Sequence, residues 1–379
     1  MHIIRVCPAY YPHFYLGGSV VADYEIDKAL IAEGHSVTVL TCKDNQADLT
    51  TELLSKNHKV VRCRSIGKSQ YGISLGPIIA IIKEHFGKTD DQTIVWFGGV
   101  WNLLTILGPL ICRFLSQKYM ITPHGMLIPN LIEMKSTSIK KLCIKLLLKS
   151  HLNKAHRVHF TVNDELEDTI LVTRAKMKAV VFPLCFDLSR FDRPPINFDS
   201  RLTDKITVSF IGRITPKKRI DLVIRALEML PLDVKSKVRF NIVGPDKECL
   251  WDYVHYTKNR VGVEINYKGL LYGDDLIDAY HDTDVFILCS ESENFAISVV
   301  EAAFCYCVPL ITKSVGVGEY FSNTSAVFSE LDALDISRNI ETLVRDTKML
   351  EEFGLRARLV SEQFSSSYLG PTHFAKLIG

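Results

Sequence analysis

Short β-branched runs alternate with longer amphipathic stretches along almost the whole chain, and the alternation breaks only once, near the middle. In the first half the runs are HIIRV, SVTVLT, KVVRC, TIVWF, KYMIT, RVHFTV and AVVF, with stretches such as Val20–Glu33 and Ile73–Phe86 between them. Strand-length runs separated by helix-length ones cannot close as hairpins. They form a parallel sheet covered by helices on both faces. The break is Leu184–Asp204, where Pro194-Pro195 and the polar residues around them mark a linker. A second series follows: KITVSFIG, RFNIVG, VEINYKG, DVFILCS and VPLIT. Between its first two runs, Ile220, Val223, Leu227 and Leu230 form one stripe at helical spacing. The expected fold class is α/β, with two Rossmann-like domains of parallel strands facing across a cleft. The expected boundaries are 1–190 and 191–365, followed by a last helical segment, 366–379. With 379 residues, each domain is long enough to bury its own core.

Charge and cysteine usage narrow the function classes. Residues 1–190 carry 23 Lys and Arg against 16 Asp and Glu, and residues 191–379 carry 22 against 27. A basic first half and an acidic second half fit an anionic partner on one side only, and argue against a general nucleic-acid binder. The ten cysteines are scattered, several inside apolar runs (Cys42, Cys112, Cys289), as reduced thiols of a cytoplasmic protein would be. Cys305-Tyr306-Cys307 lacks zinc-site spacing. The start, MHIIRVCPAYYP, has no leader pattern. Ile94–Cys112 is 19 residues without a charge, near the length of a membrane span, but Gly98-Gly99, Asn102 and Gly108-Pro109 divide it into strand, loop and helix.

In open α/β sheets, ligands bind beyond the carboxyl ends of the strands, so the loops there are the candidate sites. Gly17-Gly18-Ser19 opens a helix after the first strand, where glycines let backbone amides approach an anion. Gly212-Arg213-Ile214-Thr215-Pro216-Lys217-Lys218-Arg219 follows the first strand of the second series. Arg213 and Lys218 are two cations able to neutralise a diphosphate without a metal. SESENFAISVVEAAF places Glu293 at an expected helix start and Glu301 eight residues on, about 12 Å along a helix. That span suits a nucleotide sugar. Ribose hydroxyls would satisfy Glu301 inside its apolar helix, and the amides of Asn294, Phe295, Ala296 and Ile297 would face the phosphates. The plainer alternative is two structural acids, one of them salt-bridged. His124, in Thr122-Pro123-His124-Gly125-Met126, sits on a loop after a strand, and Leu271 with nearby backbone ends another strand where a base would lie. Asp282-Thr283-Asp284 has the form of a metal-binding DxD but precedes its strand, which puts it at the wrong end.

These motifs resemble those of the retaining glycosyltransferases of family four, which have the GT-B fold. The resemblance runs through the GGS loop, EGHSVTVLT, PHGM, FIGRITPKKRIDLVIRAL and the E-x7-E pair Glu293–Glu301. It implies that Gly17 and Gly18 line the donor diphosphate, and that Arg213 and Lys218 stabilise the leaving nucleoside diphosphate. By the same resemblance Glu293 contacts the transferred sugar, Glu301 the ribose and Leu271 the base edge. His124 approaches the sugar from the first domain, and the last helix crosses back to that domain. No metal or other cofactor is implied. The chain departs from the family in having Ala296 and Asn294 where Gly is usual, and Cys307-Val308-Pro309 without the common Gly.

The expected activity is retaining transfer of a hexose from a nucleotide sugar, UDP-glucose or a related UDP-hexose. The acceptor is a saccharide or lipid-linked saccharide in polysaccharide biosynthesis. GDP-mannose is the alternative donor, and a non-catalytic sugar-nucleotide-binding protein the alternative class. A nicotinamide oxidoreductase needs G-x-G-x-x-G after the first strand, which GGSVVADYE does not supply. Residues 135–160 carry seven Lys and Arg and no acid, interspersed with Ile139, Leu142, Ile144, Leu146, Leu147 and Leu148. A peripheral contact with the inner face of a membrane is one reading. An ordinary surface helix packed by its apolar side is the other.

Overall fold

The computed structural model describes residues 1–12, 18–43, 55–66, 74–87, 92–134, 137–193, 205–246 and 261–369. Two compact units emerge, Met1–Phe186 and Asp187–Tyr368. Pro194-Pro195 and all of the expected last helix beyond Leu369 lie outside the described residues.

The first unit holds a seven-stranded parallel sheet. Its strands are β1 (His2–Val6), β2 (Ser36–Cys42), β3 (His58–Cys63), β4 (Thr93–Gly98), β5 (Tyr119–Thr122), β6 (Arg157–Phe160) and β7 (Ala179–Val181), in the order β3-β2-β1-β4-β5-β6-β7. Each apolar run named above supplies one of them. The central strands are buried on both faces, so they read as continuous apolar runs rather than as alternating ones. Ile4, Val6, Leu40, Val95, Phe97, Leu104, Ile121 and Phe160 share one core. The uncharged stretch from Ile94 resolves into β4, a loop and the helix Leu103–Phe114, whose start is capped by Asn102 accepting from the Thr105 amide at 3.0 Å. Among the described residues no helix is long and apolar enough to cross a membrane.

The second unit repeats the plan with six parallel strands: β8 (Ile206–Ile211), β9 (Val238–Val243), β10 (Glu264–Gly269), β11 (Val285–Leu288), β12 (Val308–Thr312) and β13 (Val327–Ser329), ordered β10-β9-β8-β11-β12-β13. The predicted stripe holds: Ile220, Val223 and Leu227 on the helix Ile220–Met229, and Leu230 just after it, are all buried. β13 escaped the sequence reading because it is a three-residue edge strand with serine on either side of Ala326-Val327-Phe328. The segment after Asp187, expected as linker, is partly packed structure. Phe191 is buried edge-on to Tyr280, and its carbonyl is 3.0 Å from Nε2 of His281.

Candidate active site

In each sheet the strand order reverses once, between β1 and β4 and between β8 and β11, and the loops leaving the two strands diverge there to open a crevice. In the second unit those loops are Gly212–Arg219 and Cys289–Ala296. They are the two segments singled out for a diphosphate.

The loop after β8 is fastened by backbone. Gly212 N–H donates to Val243 at 2.9 Å and Ile214 N–H to Pro245 at 3.1 Å. Gly244, at φ +140°, lies so close that a Cβ there would fall 1.8 Å from the Gly212 carbonyl oxygen. Beyond this clamp, Pro216–Lys218 makes one tight turn and Arg219, in the left-handed region at φ 50°, starts the following helix. That turn aims Lys217 and Lys218 at the loop after β11. Lys218 Nζ lies 2.7 Å and Lys217 Nζ 3.2 Å from Oε1 of Glu293, and Ser290 Oγ donates to the same oxygen at 2.9 Å. Among the described residues, nothing is hydrogen-bonded to the other carboxylate oxygen. Burial pushes the Lys218 ammonium below its usual range, only partly offset by Glu293. Burial alone would raise the Glu293 carboxyl, but the two ammonium groups outweigh it and hold it below the usual carboxylate range. The Glu293 carboxylate is therefore ionised at neutral pH, and it occupies the two ammonium groups. Arg213 is exposed and, among the described residues, has no ion-pair partner.

The expected helical register of the two acids is corrected here. The helix begins at Ile297, not at Glu293. Glu293 is held in an extended bridge to Val315: its amide donates to Ser314 at 3.0 Å, and its carbonyl accepts from Gly316 at 2.9 Å. The backbone turns at Ala296 (φ 66°, ψ 73°) before the first helical turn. An L-residue there is strained, whereas glycine adopts this conformation freely. Ala296→Gly is accordingly expected to stabilise the second unit by about 1 kcal/mol, a rise of roughly 2–4 °C in melting temperature by differential scanning calorimetry. Glu301, on the helix, is partnered within the protein: Tyr280 Oη donates to one oxygen at 2.7 Å and Arg190 Nη2 lies 3.1 Å from the other. The salt-bridged alternative describes it as it stands. Leu271 is half-buried just beyond β10, with Leu270 and Tyr272 exposed on either side.

In the first unit His124 sits directly after β5, in the left-handed region at φ 55°, with Nε2 3.1 Å from Oδ1 of Asp23. The carboxylate of Asp23, on the helix Gly18–Ala32, also meets Arg5 at 3.3 Å, and a Cβ at Gly98 would fall 2.5 Å from its other oxygen. Arg5 is fully buried in β1, pairs with Asp27 at 2.6 Å and lies over the Trp96 ring at 4.2 Å. Burial would raise the Asp23 carboxyl, but His124 and Arg5 hold it below its ordinary value. Gly18 starts its helix, and Gly17 lies outside the described residues. Sequence reading missed Asp23 and Arg5, although an arginine inside the apolar run HIIRV was a usable signal. A cation in a strand covered on both faces requires an acid nearby.

Asp282-Thr283-Asp284 precedes β11, and its Asp284 carboxylate accepts the Thr207 amide at 2.8 Å, joining the amino ends of two strands. Cys305 and Cys307 are buried thiols, Cys307 donating to the Tyr280 carbonyl at 3.2 Å, and Cys42, Cys112 and Cys289 are buried as well. Among the described residues no group of three His, Cys, Asp or Glu could hold a metal ion.

The loops after β8 and β11 fall inside a stretch shared with known proteins. Residues 192–360 match the family of glycosyl transferases, group 1. The chain is 28% identical over 152 residues to the sulfoquinovosyl transferase SQD2 of Arabidopsis thaliana, covering 39% of this chain and 28% of that protein. It is 24% identical over 161 residues to the serotype-specific mannosyltransferase WbdA of Escherichia coli, covering 42% of this chain and 20% of that protein. The matches thus span less than a third of either relative. Solved structures cover the whole chain. HepE of Anabaena, in complex with UDP, superposes with a TM-score of 0.76 at 16% identity over 100% of this chain and 99% of that one. Sucrose-phosphate synthase of Thermosynechococcus elongatus gives 0.76 at 17%, over 100% and 98%. The chain has the GT-B fold, and its second unit carries the group 1 glycosyl transferase family match.

Proposed function

We propose that this protein is a retaining, metal-independent glycosyltransferase. In this reading it moves a hexose from UDP-glucose or a related UDP-hexose to a saccharide or lipid-linked saccharide acceptor in polysaccharide biosynthesis. The observation that carries the reading is the cluster of Lys217, Lys218, Ser290 and Glu293 at the strand-order reversal of the second sheet, with Arg213 exposed on the same loop.

Cleaving a sugar–phosphate bond puts negative charge on the departing diphosphate and positive charge on the sugar. Arg213 and Lys218 stabilise the first, aided by the amides at the start of the helix Ile297–Phe304. Glu293, with one oxygen anchored by two ammonium groups and a hydroxyl, keeps the other for a sugar hydroxyl. The acceptor attacks from the face the diphosphate leaves, and the leaving phosphate takes its proton, so configuration is retained without a protein nucleophile. Glu301 binds the ribose, positioned by Tyr280 and Arg190. UDP is favoured by the likeness to HepE, solved in complex with UDP and UDP-glucose. GDP-mannose is the second reading, favoured by the match to the mannosyltransferase WbdA.

Thermal shift with UDP, GDP, UDP-glucose and GDP-mannose tests the proposal. A ligand at a hundredfold excess over its Kd stabilises by about 2.7 kcal/mol, which is several degrees here. UDP compounds are expected to raise the melting temperature and GDP compounds to leave it. The reverse pattern transfers the assignment to GDP-mannose, and no shift with any of the four overturns it.

A further inference from the structure

We propose that the outward face of residues 137–154, in the first unit, is a docking surface for an anionic lipid bilayer. The segment is one helical run, Thr137–Cys143, a wider π-helical turn Ile144–Leu148, and Lys149–Lys154. Its inner face is already packed, with Ile144, Leu148, His151 and Leu152 all buried. It is also pinned by hydrogen bonds. Tyr119 Oη donates to the His151 carbonyl at 2.8 Å, His151 Nε2 lies 3.1 Å from the Ile106 carbonyl, and Arg113 donates to Ser150 at 3.1 Å. A helix held this way has satisfied its need for a core. Yet a second apolar stripe lies on the opposite face: Ile139 is 72% exposed, Leu142 56% and Leu146 63%. The plainer sequence reading, a surface helix packed by its apolar side, accounts for the inner stripe and leaves the outer one unexplained.

Charge complementarity selects the occupant. Lys141, Lys145 and Lys149 flank the stripe at four-residue intervals, and none has an ion-pair partner among the described residues. The sequence has no acid between Glu133 and Asp164. Aliphatic tips set among unpaired lysines along about 25 Å of helix match a surface whose anionic headgroups overlie acyl chains. Phe114, 86% exposed at the end of the helix that Arg113 joins to Ser150, adds an aromatic group beside the run. An acidic protein would meet the lysines but leave the aliphatic stripe in water.

The test is flotation of the full chain with vesicles of phosphatidylcholine alone and of phosphatidylcholine mixed with phosphatidylglycerol, at low and high salt. Binding is expected only to the mixed vesicles and is expected to weaken with salt. Each lysine removed is expected to cost about fivefold in partitioning. Lys141→Glu with Lys145→Glu and Lys149→Glu should abolish binding, and Leu142→Ser with Leu146→Ser should lower it tenfold or more. Lys141, Leu142, Lys145 and Leu146 are exposed and Lys149 is half-buried, and none of the three lysines has an ion-pair partner among the described residues, so the variants should melt like the parent. If one does not fold, the salt and lipid dependence of the parent chain still decides. Absence of binding to the mixed vesicles at low salt overturns the proposal, as does binding indifferent to the lysine reversals. A dimer by light scattering that Leu142→Ser with Leu146→Ser dissolves, without vesicle binding, would instead assign the stripe to a second copy. The inference uses no donor-site residue, so its failure and that of the transferase reading are distinguishable.

Discussion

Arg213→Ala is expected to lower kcat by about a hundredfold or more while leaving the melting temperature unchanged. The guanidinium is exposed and has no ion-pair partner among the described residues, so removing it breaks nothing in the resting protein. In the proposed mechanism its work lies in the charge that develops on the departing diphosphate. Lys218→Ala should behave differently. It removes the closer of two ammonium groups from a largely buried carboxylate, leaving Glu293 with Lys217 at 3.2 Å and Ser290 at 2.9 Å. Stability and turnover should then fall together. Steady-state kinetics with the donor identified by thermal shift, paired with calorimetry, separates the two. Full turnover in Arg213→Ala would remove the cation from the mechanism and with it the proposed leaving-group stabilisation.

Gly244→Ala should be among the most damaging single methyl additions in the second unit. The new Cβ would lie 1.8 Å from the Gly212 carbonyl oxygen, and the backbone at φ +140° is one that L-residues rarely adopt. Because the obstacle is backbone, no rotamer change relieves it. The loops after β8 and β9 must part, breaking the bonds from Gly212 to Val243 and from Ile214 to Pro245. The expected cost is on the order of 3 kcal/mol or more, a fall of roughly 10 °C in melting temperature. Gly212 precedes Arg213, so the nucleotide-induced thermal shift should shrink as well. Gly18→Ala is the control, since a Cβ there meets nothing within 4 Å. If Gly244→Ala melts like Gly18→Ala, the described packing of these two loops is wrong.

Sequence and structure part company at definite residues. The loop after β8 was legible because a basic segment following an apolar strand has one place to go in a parallel sheet. The start of the helix after β11 was not legible. SESENFAIS has good capping residues at several positions, and the choice of Ile297 depends on the bridge between Glu293 and Val315, which only forms once β12 lies beside β11. The carboxylate partners were hidden for the same reason. Arg190 and Glu301 are 111 residues apart in the chain, and His124 and Asp23 are 101 apart.

By itself the sequence determined that there are two parallel sheets, which runs form nearly all their strands, and which loops stand at the carboxyl edges. Strands buried on both faces must be continuously apolar, and that constraint is local and readable. Tertiary structure alone decided which charges meet. Glu293 takes Lys217 and Lys218, Glu301 takes Tyr280 and Arg190, and Asp23 takes Arg5 and His124, because strand order sets these neighbours and periodicity does not encode strand order. It also decided that the stripe Ile139, Leu142 and Leu146 faces outward, since a helix with two apolar faces can bury either one until the rest of the core has chosen.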